Sequence, residues 1–161
     1  MRSAGACGQE TLLLVAKHPH VLAGAAAFDA PTNMAARYDA FALLRFGRWL
    51  QHLARIEIGG TPVSDPRGYA IRSPLDCARQ IAFSGVPLQI WWSTRDRIVA
   101  DQAHESGRLY RDIERLNPQA PVEQFVGTWA HTAEMRASTR LPIALGLFHL
   151  LPPWAARYGA P

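Results

Sequence analysis

The segment Val86-Pro87-Leu88-Gln89-Ile90-Trp91-Trp92-Ser93 constrains this chain more than any other. It is short, apolar, rich in β-branched and aromatic residues, and entered through Gly85. A brief apolar run with little polar alternation suits a strand covered on both faces. Strands of that kind belong to parallel sheets, whose crossovers are helices. The remainder of the chain must therefore supply helices and further strands.

It does so in alternation. Residues 6 to 18 read as a helix, with Leu12, Leu13, Val15 and Ala16 on a broad apolar face. Lys17-His18 suit its C-terminal end, and Pro19 stops it. Val21 to Phe28 is a second unalternating apolar run. Its alanines would also suit a helix, but the turn Asp29-Ala30-Pro31-Thr32-Asn33 behind it favours a strand. Residues 34 to 58 look helical, with Leu43, Phe46, Leu50 and Leu53 on one stripe. Gly59-Gly60-Thr61-Pro62 breaks that helix, and 66 to 83 hold short helical pieces. The whole of 34 to 83 reads as a lid-like insertion over the sheet edge. Residues 100 to 116 form an amphipathic helix, with Ala103, Tyr110, Ile113 and Leu116 inward. Val122 to Val126 is the last strand, and a final helix is expected over 137 to 150. This pattern predicts one α/β domain over 1–161, with about three parallel strands and right-handed crossovers.

Composition narrows the function classes. The chain has 161 residues, 48% hydrophobic and 19% charged, the profile of an ordinary globular domain. Its net charge of +4 comes from basic residues scattered singly, with Lys17 the one lysine. No basic run or aromatic–basic interleaving points to nucleic acid. No apolar stretch reaches the ~18 residues of a membrane span. No signal-peptide pattern is visible, which leaves a cytoplasmic location as the default. Cys7 and Cys77 make neither a disulfide framework nor a metal cluster; two small semi-buried thiols are the expectation, with a single bridge as the alternative.

In an open parallel sheet, functional groups gather on loops at the carboxyl ends of the strands. Asp96 follows the Trp-rich strand and His131 follows the last strand. At the head of the chain, Ser3-Ala4-Gly5-Ala6 matches the back half of a nucleophile elbow, G-x-S-x-G, with Met1 where its first glycine belongs. The chain order is therefore Ser3, Asp96, His131. Asp29 also follows a strand and is an alternative acid. His18 and His20 flank Pro19 at the opposite end of that strand, where a solvated turn is the expectation. His104, with Glu105 beside it, falls on a helix, where exposure is the default.

With Gly59-Gly60-Thr61-Pro62, Arg72-Ser73-Pro74-Leu75, Val86 to Ile90, Asp96-Arg97-Ile98-Val99 and Gly127 in sequence, the chain resembles the C-terminal half of an α/β-hydrolase. It is most similar to prolyl oligopeptidase-like serine hydrolases. The resemblance covers about residues 1 to 135. It implies acyl transfer on a small peptide or ester substrate, with no metal or organic cofactor. Ser3 would be the nucleophile, His131 the general base, and Asp96 the acid that orients it. The backbone N–H of Ala4 would be one oxyanion donor. The strand that should deliver Ser3 is not in this sequence. The alternative reading is thus a non-catalytic fragment or interaction module with the hydrolase fold. Its exposed sheet edge would invite self-association or a partner.

Overall fold

Three parallel strands run side by side in chain order: β1 (Ala25–Phe28), β2 (Leu88–Ser93) and β3 (Val122–Gly127). They belong to a computed structural model that describes residues 4–133. The segment expected to form a last helix, 137 to 150, lies outside the described residues. In register, Phe28 sits beside Trp91, and Trp91 beside Phe125.

One face of the sheet is packed by α1 (Ala4–Lys17), α5 (Ala78–Ala82) and α6 (Ser106–Leu116). Leu12 and Val15 meet Ala78, Ile81 and Ala82, then Leu88, Ile90 and Trp92 of β2, then Leu109 and Ile113. Each large aliphatic side chain buried there contributes about 1.5–3 kcal/mol. α1 runs so close to the end of β1 that only glycine fits at position 8. A Cβ on Gly8 would stand 2.8 Å from the Phe28 carbonyl oxygen. The opposite face carries an aromatic row. Trp91 stacks on Phe28 at 5.3 Å and on Phe125 at 4.1 Å between ring centres. Both Trp91 and Trp92 are buried, one on each face of the central strand.

Several boundaries differ from the expectations. β1 starts at Ala25, because Pro19–Val21 form a 3₁₀ turn after α1. The helix expected over 34 to 58 is two helices, α2 (Met34–Phe41) and α3 (Gly47–Ile58). The chain turns back at Gly47, where any Cβ would collide with the Phe41 carbonyl. The apolar stripe is divided: Leu43 is 88% and Phe46 69% exposed, whereas Leu50 and Leu53 are half-buried. α3 ends at Gly59, whose φ of 108° favours glycine. α4 (Pro66–Ala70) comes next, capped by Asp65. α2 to α4 pack mainly on one another, whereas α5 lies in the main core. The added helical layer is thus shorter than 34 to 83. The helix expected from 100 starts at Ser106, after a series of turns that leaves Ala103 exposed, and Leu116 is at the surface.

Candidate active site

The carboxyl ends of the strands bring three loops together. β2 delivers the acid loop. After Ser93 the chain turns, and Asp96 folds back beneath it. Asp96 Oδ1 accepts from the backbone N–H groups of Ile98 and Val99, at 2.8 and 3.0 Å. Its Oδ2 accepts from Gln102 Nε2 at 3.1 Å and meets His131 Nδ1 at 2.7 Å. Burial alone would raise the Asp96 pKa. The bonds from His131, Gln102, Ile98 and Val99 outweigh it and hold the carboxyl below its ordinary value. Asp96 is therefore an anion, and the short contact requires the proton on His131 Nδ1.

With Nδ1 engaged, His131 Nε2 is the ring nitrogen left over. It is buried and has no hydrogen-bond partner among the described residues. A buried, unpartnered imidazole nitrogen is costly, and its lone pair is available to accept a proton.

Asp29, at the end of β1, sits in the same neighbourhood but engages different groups. It is fully buried, with φ 45°. Its Oδ1 accepts from Ser93 N–H at 2.9 Å. Its Oδ2 accepts from Trp129 Nε1–H at 3.0 Å and from Thr132 N–H at 2.7 Å. Asp29 thus clasps the loop on both sides of His131 and ties it to the end of β2. Burial raises its pKa; the bonds from Thr132, Trp129 and Ser93 offset this in part, while the nearby Asp96 adds to the rise.

Donor atoms of Asp29, Asp96 and His131 lie within 4.8 Å of one another, a spacing a metal could bridge. The oxygens of both aspartates are already aimed at by N–H donors. Those donors fit structural anions and would have to be displaced by a cation.

Glu105 joins the loops after β1 and β2. Its Oε2 accepts from Thr32 N–H, Thr32 Oγ1–H and Asn33 N–H, each at 2.7 Å. Arg37 of α2 donates to the Ile98 carbonyl within the acid loop. Asp101 and Thr132 share with Asp29 a left-handed backbone without being glycine, at φ 61° and 55°. Each such residue costs of order 1 kcal/mol or more, and such strain gathers at functional sites.

Of the residues expected from the sequence, Asp96 and His131 are in direct contact. Asp29 is near but not bonded to the imidazole. Ala4 is the first residue of α1, where backbone N–H groups lack intrahelical acceptors. Ser3 lies outside the described residues. His18 and His20 are exposed beyond the other end of β1, with rings 6.2 Å apart. His104 is exposed and paired with Asp101 at 2.8 Å. Cys77 is a buried free thiol, its pKa raised chiefly by burial. Glu105, Gln102 and Trp129 are not legible in the sequence as site residues. Glu105 bonds residues 72 and 73 positions away, a distance no local pattern encodes.

A cleft of about 480 Å³ opens beside His131. Arg95, Arg97, Ile98, Thr128 and Trp129 line it with the imidazole.

The sheet order, helical crossovers and loop positions are those of an α/β-hydrolase fold, and solved structures bear this out. The chain is similar to the Pyrococcus horikoshii acylaminoacyl peptidase, with a TM-score of 0.62 at 18% identity over 88% of this chain. An orthorhombic crystal form of the same peptidase gives 0.63. A Pyrococcus furiosus esterase matches with a TM-score of 0.56 at 16% identity over 90% of this chain. The chain spans 22% of the peptidase and 51% of the esterase. No protein-family model matches the sequence, and no curated protein does.

Proposed function

We propose that this chain carries the acid and base of a serine hydrolase, with Ser3 as nucleophile. The observation that carries the reading is the 2.7 Å contact between His131 Nδ1 and Asp96 Oδ2, with Nε2 buried and unpartnered among the described residues. In this reading Ser3 Oγ attacks the substrate carbonyl carbon while His131 Nε2 takes the hydroxyl proton. The tetrahedral intermediate collapses, and the leaving oxygen or nitrogen departs with that proton from Nε2. Water then attacks the acyl-enzyme by the same route, releasing the acid and restoring Ser3. Asp96 holds the tautomer and stabilises the imidazolium throughout. The Ala4 N–H, at the start of α1, is one donor to the developing oxyanion. The neighbouring structures are named as a peptidase and an esterase, which supports a peptide or ester substrate.

A fluorophosphonate probe tests the reading. Wild-type protein is expected to label on Ser3, with no labelling of Ser3→Ala and much slower labelling of His131→Ala. Folded protein that takes up no probe sinks the proposal. The second reading, a hydrolase-fold interaction module, is favoured by Leu43, Phe46 and Trp49, which stand 88%, 69% and 60% exposed on the helical layer. Concentration-dependent association that is lost on changing these three residues to polar ones would support it.

A further inference from the structure

The cleft beside His131 has a one-sided charge. Arg95 and Arg97 border it, and no Asp or Glu is among its described lining residues. The acids nearby among the described residues, Asp96 and Asp29, are both buried with their oxygens occupied by hydrogen-bond donors. Arg95 and Arg97 are exposed, and neither guanidinium has a hydrogen-bond or ion-pair partner among the described residues. Arg48 and Arg67 also lack such partners, so what sets Arg95 and Arg97 apart is their place on the wall of this cleft, whereas several other arginines are engaged elsewhere. Arg37 is bonded to Ile98, Arg72 to Gly68, Arg111 to Ala103 and Arg115 to Asp112. Two unengaged cations on either side of Asp96 in sequence therefore face the place where substrate must approach the base. Ile98, Trp129 and Ala130 make much of the remaining wall apolar, with Thr128 beside them. A guanidinium fork presents paired donors that match a carboxylate.

We propose that the site selects substrates bearing a free carboxylate a few bonds from the scissile carbonyl, with Arg95 and Arg97 as its recognition pair. This rests on the hydrolase reading and adds the substrate class: a monoester of a dicarboxylic acid, or a peptide or ester whose leaving part ends in a carboxylate. A neutral substrate would leave both cations unused. An amine near the scissile bond would be repelled.

Two pairs of matched esters test it on the full chain. Mono-p-nitrophenyl glutarate is compared with its methyl-capped, neutral counterpart, placing the carboxylate on the acyl side. The acetyl ester of 4-hydroxybenzoate is compared with that of methyl 4-hydroxybenzoate, placing it on the leaving side. In one of the pairs the anion is expected to have a kcat/KM about tenfold higher, a preference that shrinks at high salt. In Arg95→Gln/Arg97→Gln that ratio falls towards one. Equal kcat/KM within both pairs overturns the inference while leaving the hydrolase reading intact, as does a preference that persists in the double variant. Hydrolysis of none of the four esters counts against the hydrolase reading instead. Binding then decides separately: glutarate titrated against the Trp129 indole N–H resonance is expected to give a saturable shift that the double variant loses. No shift in wild-type protein overturns carboxylate recognition.

Discussion

Asp29 and Asp96 are the same residue type at equivalent places, one just past β1 and one past β2, and both lie within reach of the His131 loop. Their environments push them apart. Asp96 gives one oxygen to backbone N–H groups of its own loop and the other to Gln102 and the imidazole. Asp29 gives every bond to backbone or indole N–H groups and none to the imidazole. The pKa of Asp96 is lowered and that of Asp29 raised. Position after a strand thus makes a carboxylate available, and the donors around it decide its task. Asp96 is bonded to the His131 imidazole, and Asp29 holds the loop that carries it.

The sharpest way to break this comparison is to swap the two by substitution. Asp96→Asn is expected to slow hydrolysis by about 10⁴, because the amide stabilises the wrong imidazole tautomer. Asp29→Asn is expected to cost far less activity. Steady-state kinetics on one activated ester checks both, and comparable losses would erase the distinction.

The stability of the two sites should run the other way. Asp29→Ala strands three N–H donors, two of them backbone and fully within the site. At about 1–3 kcal/mol per unsatisfied buried group, a loss of roughly 3 kcal/mol or more is expected in urea denaturation. Gly8→Ala presses on the carbonyl just before Asp29 and should cost about 1–3 kcal/mol, read the same way. Glu105→Gln keeps an acceptor for Thr32 and Asn33 but removes its charge. About 1 kcal/mol is expected, and a null result would show that the loops after β1 and β2 hold without that tie.

The smallest effect is in pH dependence, and its sign differs between the two acids. The folded pKa of Asp96 is depressed. Its contribution is complete above the unfolded carboxyl value of about 3.9 and is lost as pH falls through the lower folded value. The folded pKa of Asp29 is raised. Its contribution is complete below about 3.9 and is lost as pH rises through the higher folded value. Denaturation over an acidic pH series should therefore show Asp96→Asn losing less stability on acidification than wild type. Asp29→Asn should lose more.

Much of the chemistry is written locally. Asp96 and His131 can be named from sequence because strands announce themselves by composition, and a parallel sheet gathers the loop after each strand at one edge. β2 is legible for the same reason. Asp29 is visible as an acid after a strand, yet its task depends on Ser93, Trp129 and Thr132, which are distant in sequence. Glu105 reads from sequence only as a neighbour of His104 within an expected helix. In fact it precedes α6 and turns inward to meet Thr32 and Asn33. The division of 34–58 into two helices hinges on a backbone contact at Gly47, which periodicity does not register. Leu43 and Phe46 fall on a helical stripe, but a stripe predicts burial only where something lies opposite it.

The central claim, that Asp96 and not Asp29 sets the protonation of the His131 ring, can be read directly from its tautomer. In histidine-selective ¹⁵N-labelled protein at neutral pH, wild type is expected to carry the proton on Nδ1, with Nε2 showing an unprotonated shift. Asp29→Asn should keep that pattern, and Asp96→Asn should move the proton to Nε2. A wild-type His131 protonated on Nε2 alone, or a tautomer that switches in Asp29→Asn and not in Asp96→Asn, would contradict the account.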